Sequence, residues 1–318
     1  MQKRHLGRSG LRVSRMALGT MSWGEATDAE EAAGQLVAFV DAGGTLVDTA
    51  DVYAEGECER ILGSLLADVV PREDVVIATK AVARRTEGPF GGGASRGALL
   101  TALDGSLRRL GVDHIDLWQL HAWDENVPLS ETLSALDYAV TSGKVRYTGV
   151  SNYAGWQLAT AAASSSLVST QVEYSLVERG VEREVVPATA YHGIGLLPWA
   201  PLGRGVLTGK YRTGTPADSR GASPAYAGYV EQHRTERAAR IVEAVATAAD
   251  GLGTSPLAVA LAWVRDRPEV VAPVVGARDT AQLTGSLAAE EITLPTAIRA
   301  ALDDVSAPAF GYPERWPK

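Results

Sequence analysis

The sequence predicts an α/β protein built as a single (β/α)8 TIM barrel, with an N-terminal β-hairpin and extra loops and helices before the last strand and at the C-terminus. Three observations predict it. Short apolar runs alternate with helical patterns in about eight units, and regular alternation implies a parallel sheet. The strand candidates are continuous apolar runs, as in sheets covered on both faces. The 318 residues are 46% hydrophobic and 21% charged, which suits a large core, and no boundary marks a second domain, so residues 1–318 read as one unit. A doubly wound open sheet is the alternative architecture.

The elements follow in order. Within residues 3–14, the pair Ser9-Gly10 separates two short alternating runs and predicts a hairpin. Met16 to Met21 is a first buried strand that ends in polar residues. Thr27-Asp28-Ala29-Glu30 reads as a capping box opening a helix that runs to about Asp41 and stops at Gly43-Gly44. Leu46-Val47-Asp48 is the next strand, followed by a polar loop carrying Tyr53 and then a helix. Asp74 to Lys80 is a further strand, and Gly88 to Gly93 a glycine-rich loop expected to be mobile. Ser95 caps a helix with Leu99, Leu100, Leu103, Leu107 and Leu110 on one stripe, stopped by Gly111. Ile115 to His121 is a strand, and Ser130 starts a helix carrying Leu133, Leu136 and Val140 that Gly143 ends. Val145 to Val150 and Thr170 to Glu173 are strands, Glu182 to Tyr191 a helix, and Ile194 to Trp199 a strand. Residues 200–232 are rich in Gly, Pro, Ser and Thr, a long insertion of the kind that forms a lid or a disordered segment. Helices are predicted at about 234–250, 256–266 and 280–288, with Val270 to Val275 as the last strand. The tail from Pro308 to Lys318 has no regular pattern.

The totals restrict the function. A net charge of -8 and a pI of about 5.3 disfavour nucleic acid or an anionic membrane as the main partner. The single cysteine, Cys58, excludes an internal disulfide framework and a cysteine-based zinc site, and it reads as a buried structural thiol. His5, His114, His121, His192 and His233 show no metal spacing, so no metal is expected. The basic start Met1-Gln2-Lys3-Arg4-His5 has no apolar stretch after it, and no apolar run reaches the length of a membrane span; the expected location is the cytoplasm. An oligomer is compatible with the sequence.

Barrel enzymes gather their reactive groups at the C-terminal ends of the strands. Here successive strand ends deliver Asp48 and then Tyr53, Lys80, His121, Ser151 with Asn152, and Gln171. Each has an ordinary reading: Asp48 as a turn cap, Tyr53 as a loop aromatic, Lys80 as a surface lysine, His121 as a sheet-edge polar residue. Together they specify chemistry. A free phenol with a pKa near about 10 is a weak acid at neutral pH. A neighbouring ammonium lowers it, a carboxylate keeps that ammonium charged and oriented, and a histidine can polarise a carbonyl oxygen. Such a group can protonate a carbonyl oxygen as a hydride arrives at carbon. A Schiff-base chemistry on Lys80 is the alternative for the same residues.

Several segments in this order resemble the aldo-keto reductases: Leu18-Gly19-Thr20-Met21, Asp48-Thr49-Ala50-Asp51-Val52-Tyr53, Ala78-Thr79-Lys80, Leu117-Trp118-Gln119-Leu120-His121, Gly149-Val150-Ser151-Asn152-Tyr153, and Trp199 through Lys210. The resemblance, closest to the branch that includes channel β-subunits, covers nearly the whole chain. It implies an NADPH-dependent reduction of an aldehyde or ketone, with Asp48, Tyr53, Lys80 and His121 as the catalytic tetrad. It places Gly19, Thr20, Met21 and Asp48 at the cofactor, and Ser151, Asn152, Gln171 and Trp199 at the nicotinamide. It counts Ala200, Pro201 and Leu202 among the cofactor residues, lets the backbone at Gly203 and Gly205 approach the pyrophosphate, and assigns Lys210 and Arg220 to phosphate and Gly276, Arg278 and Gln282 to the adenosine end. Several cations there imply NADPH over NADH. Thr284-Gly285-Ser286 departs from the acidic residue and asparagine that relatives often carry. Gly203-x-Gly205 continues to Thr208, so it is not a Rossmann fingerprint, and Gly209-Lys210 is not a P-loop. The substrate wall is expected from Trp23, Tyr53, His121 and Trp123, with Phe90 and the tail residues Phe310, Tyr312 and Trp316 as further candidates. A regulatory subunit that binds NADPH with little turnover is the reading from another class; the lack of a long N-terminal extension in this chain disfavours it.

Overall fold

The computed structural model describes residues 1–224, 226–309 and 311–312. Ten strands are described: β1 (Lys3–His5), β2 (Arg12–Ser14), β3 (Ala17–Gly19), β4 (Leu46–Asp48), β5 (Val76–Ala81), β6 (Ile115–Leu120), β7 (Val145–Ser151), β8 (Leu167–Glu173), β9 (Gly195–Trp199) and β10 (Val274–Gly276). The helices are α1 (Ala29–Asp41), α2 (Glu57–Asp68), α3 (Arg96–Leu110), α4 (Leu129–Thr141), α5 (Gly155–Ala162), α6 (Val185–His192), α7 (Ala227–Glu231), α8 (Glu236–Leu252), α9 (Pro256–Arg265), α10 (Thr280–Leu287) and α11 (Thr296–Val305). β1 and β2 form the expected hairpin. The other eight strands pair in parallel in the order β10-β3-β4-β5-β6-β7-β8-β9. A parallel bridge between Leu196 and Val270 brings β9 to the segment entering β10. This is a (β/α)8 barrel.

The core has two parts. Leu6 and Val13 from the hairpin cluster with Ala17, Leu46, Ala78, Leu117 and Leu197 from the strands, so the hairpin plugs the barrel at the end where the strands begin. The second part fills the layer between sheet and helices and includes Leu36, Phe39, Leu62, Leu99, Leu103, Leu136 and Trp263. With the floor packed by apolar groups, polar side chains are concentrated at the opposite end.

Local chemistry sets the element ends, and it corrects four expectations. The cap of α1 is Asp28, whose side chain accepts from the Glu31 N–H at 2.9 Å; the Thr27 hydroxyl is turned instead to the Arg278 carbonyl at 3.0 Å. α4 begins at Leu129, directly after Pro128, which with φ of -56° and ψ of 129° stands just outside the helix, so Ser130 lies inside the helix and Val140 faces solvent. The last strand is shorter than expected because Pro273 lacks a donor; only Val274–Gly276 pair with β3. The insertion after β9 holds short helical turns and α7. Ser95 caps α3 and Gly111 ends it with a φ of 65°, as expected. α5 and α11 were not anticipated. α5 is short and alanine-rich, and α11, although amphipathic, is ten residues long and fully buries only Leu302.

Candidate active site

Asp48 ends β4, and Lys80 lies one residue before the end of β5, which pairs with β4. Lys80 is 0% exposed, a position an ammonium keeps only when paired. Its Nζ donates to Asp48 Oδ2 at 2.7 Å and to the Thr49 carbonyl at 2.9 Å. Burial alone would lower the Lys80 pKa; Asp48 and Tyr53 more than offset it, and the net direction is up. The other Asp48 oxygen accepts from Gln171 Nε2 at 2.8 Å, so β8 is tied to β4 across the barrel. Asp48 is therefore an orienting carboxylate with both oxygens used.

Tyr53 follows on the turn after β4, with Lys80 Nζ 5.2 Å from its ring centroid. The His121 ring packs edge-on to it, centroids 5.9 Å apart. One expectation is corrected here. Lys80 does pull the phenol pKa down, but burial pushes it up by more, and Asp48 adds to the rise, so the net direction is up. The phenol therefore stays protonated at neutral pH, with the cation beside it ready to stabilise a phenolate. Burial, and then Lys80, pushes the His121 pKa down to about 3, which keeps the imidazole neutral. His121 Nδ1 is buried and has no partner among the described residues.

A cavity of about 730 Å³ opens over this group. Its lining runs from Tyr53, His121 and Asp48, past Ser151, Asn152, Gln171 and Trp199, to Arg278 and Gln282. Asn152, with a left-handed φ of 57°, donates through Nδ2 to the His121 carbonyl at 3.0 Å and accepts at Oδ1 from Trp199 Nε1 at 2.9 Å. The wall also includes Gly19, Thr20, Met21, Ala200, Pro201, Leu202, Gly205, Lys210, Arg220 and Gly276. Arg278 is partly engaged: it donates to the Asp218 carbonyl and lies 3.5 Å from the Asp218 carboxylate. Gln282 Oε1 accepts from the Arg278 N–H at 3.2 Å.

Other expected residues lie elsewhere. Gly203 is not on the cavity wall; a Cβ there would meet Val177 at 2.4 Å, so its smallness serves packing. Trp23 is 0% exposed and donates to Gln35 Oε1 at 3.0 Å, so it belongs to the core rather than a substrate wall. Trp123 packs edge-on between Tyr153 and Trp156, with centroids 5.2 and 5.4 Å away, outside the cavity lining. Phe90 is 56% exposed and Tyr312 is also exposed; neither lines the cavity. Phe310 and Trp316 lie outside the described residues. Cys58 is buried, donates to the Thr20 and Trp23 carbonyls, and burial pushes its thiol up to about 12, as suits a structural thiol.

Sequence reasoning missed Arg204 and Tyr229. Arg204 lines the cavity, yet its guanidinium is buried, held by both Glu173 oxygens at 2.9 and 2.7 Å, and stacked 3.6 Å from the Tyr229 ring centroid. It also donates to the Tyr229 carbonyl and to Gln232, so one side chain pins both ends of the insertion to β8. The glutamate in Gln171-Val172-Glu173 was the available signal: a charge inside a buried strand needs a partner.

The family model described as the aldo/keto reductase family matches residues 15–307. An uncharacterized oxidoreductase of Bacillus subtilis, YrpG, is 38% identical over 323 residues, covering 96% of each chain. A probable voltage-gated potassium channel subunit beta of Oryza sativa is 34% identical, covering 99% of this chain and 98% of that protein. The L-glyceraldehyde 3-phosphate reductase of Escherichia coli O157:H7 is 33% identical, covering 95% of this chain and 92% of that protein.

Proposed function

The chain belongs to the aldo/keto reductase family, and from that premise we propose that it is an NADPH-dependent reductase of small aldehydes or ketones with Tyr53 as the general acid. The observation that carries the proposal is the buried Asp48–Lys80 ion pair at 2.7 Å beneath a phenol that opens into the cavity.

The residues present fit a dinucleotide. The cavity volume lies in the range of cofactor sites. One end offers amide and hydroxyl groups beside an indole, at Ser151, Asn152, Gln171 and Trp199, which would hold the nicotinamide. The other offers Lys210, Arg220 and Arg278, which would hold phosphate, with Gln282 near the adenosine. NADPH, when bound, supplies the hydride. Tyr53 gives its proton to the carbonyl oxygen as charge builds there, and Lys80 stabilises the phenolate left behind. Asp48 keeps Lys80 charged and aimed. Neutral His121 donates an N–H to the same oxygen without competing for the proton. The acidic chain with its single buried thiol fits a cytoplasmic protein acting on a small carbonyl compound.

The pinned, charged Lys80 weighs against Schiff-base chemistry, which needs a free amine. The rice relative favours one second reading, a subunit that binds NADPH with little turnover. A panel of aldehydes and ketones with NADPH and NADH separates the two. Carbonyl-dependent oxidation faster with NADPH supports the reductase; tight NADPH binding with no carbonyl oxidising it supports the subunit.

A further inference from the structure

Asp51 lies between Asp48 and Tyr53 in the chain, and neither the proton transfer nor the cavity uses it. Its carboxyl is 1% exposed, and Oδ1 has no hydrogen-bond partner among the described residues. Charged groups from three other elements face it: Glu59 on α2, Arg109 on α3, and Arg85 on the loop after β5. Two of these are matched to each other. Arg109 donates to one Glu59 oxygen at 2.7 Å, and the Thr79 hydroxyl donates to the other at 2.6 Å. Arg85 is only half satisfied: Nη2 donates to the Glu55 carbonyl at 3.2 Å, but Nε is buried without a partner among the described residues. An unsatisfied carboxylate oxygen and an unsatisfied guanidinium N–H thus share one buried cluster, complementary in charge and in hydrogen-bonding sense.

The turn beside this cluster is strained. Ala54, Glu55 and Gly56 are left-handed in succession, with φ of 45°, 54° and 88°. Non-glycine residues hold such a backbone only when their surroundings enforce it. Arg85 does so at the Glu55 carbonyl. A Cβ on Gly56 would meet Arg109 Cδ at 2.8 Å and Arg85 Nη2 at 2.9 Å, so both guanidinium groups press on the turn. The Asp51 N–H donates to the Lys80 carbonyl at 3.2 Å, which ties the start of the turn to the strand carrying Lys80.

We propose that Asp51 is a positioning residue for Tyr53: ionised, it draws on Arg85, and Arg85 locks the left-handed turn so that the phenol stays beside Lys80. The inference rests on the reading of Tyr53 as proton donor. Burial, and then Glu59, pushes the Asp51 carboxyl up to about 7, so the clasp tightens as the pH rises through neutrality.

Carbon-13 NMR of protein labelled at its aspartate carboxyls tests this, with Asp51→Asn identifying the resonance. Asp51 should titrate near neutral pH, and Arg85→Gln should move its midpoint up by roughly half a unit to one unit, because a facing cation is gone. Amide hydrogen exchange in the Tyr53–Gly56 turn, corrected for its intrinsic pH dependence, should slow as Asp51 ionises, and either substitution should abolish that slowing. Both variants should lower kcat about tenfold, leave the NADPH Kd within about twofold, and erase the acid-side inflection of kcat/KM, with the double variant no worse than either single one. Arg85 is partly exposed, so its variant serves even if Asp51→Asn misfolds. An Asp51 that titrates in the ordinary carboxylate range, or turn exchange that ignores both substitutions, overturns the proposal. A wild-type protein without turnover overturns the reductase reading instead, while the resonance and exchange measurements still decide this one.

Discussion

Replacing Asp51 by asparagine should remove a loss of stability that the wild type suffers as the pH rises, and the size of the effect follows from burial. The folded carboxyl titrates at about 7 against an ordinary value of 3.8. The native state therefore holds a proton that the unfolded chain has released. The stability from that proton is fully present below the unfolded pKa and is lost as pH rises through the folded one. At 1.36 kcal/mol for each pH unit, the interval amounts to about 4 kcal/mol, of which about 3 kcal/mol is lost between about pH 5 and 8. The asparagine amide copies the shape of the protonated carboxyl and cannot ionise. Urea unfolding of both proteins across that range reads the difference. The variant should gain on the wild type by about 3 kcal/mol from the acid end to the alkaline end. Two curves that stay parallel would refute the burial argument, since the carboxyl would then titrate alike in both states.

Three further outcomes are expected. Lys80→Met should abolish reduction and also lower stability by about 3–5 kcal/mol, because the Asp48 carboxylate stays buried without its cation; thermal unfolding reads the second effect. His121→Gln should lower kcat without moving any inflection between about pH 5 and 8, because the imidazole is already neutral there; a pH–rate profile that loses an inflection would assign that ionisation to His121 instead. Arg278→Gln should raise the NADPH Kd by about tenfold through a lost charge-assisted bond to phosphate, and leave NADH binding nearly unchanged in a fluorescence titration.

The reactive end of the barrel was legible because parallel strands all point one way. A polar residue ending each apolar run must then arrive at one rim, and Asp48, Lys80, His121, Ser151 and Gln171 do so. Identity at a strand end does not give the sign of a balance, however. Tyr53 carries both a cation that lowers its pKa and a burial that raises it, and only packing shows that burial wins. Residues in loops were harder. Trp23 and Trp123 follow strand ends, yet the loops fold them onto Gln35 and Tyr153, away from the cavity. Arg204 sits among glycines, and its pairing with Glu173 spans 31 residues. Asp51 shows the same limit, since the charged groups that face it, Glu59, Arg85 and Arg109, come from later parts of the chain.

The central claim is that Tyr53 gives the proton. Tyr53→Phe removes one oxygen and keeps the ring against His121, so the cavity stays in place. The direct measurement is carbonyl-dependent NADPH oxidation beside NADPH binding in the same variant. Turnover lower by about 10²–10⁴-fold with an unchanged Kd is the predicted result. Turnover at the wild-type rate would contradict the account.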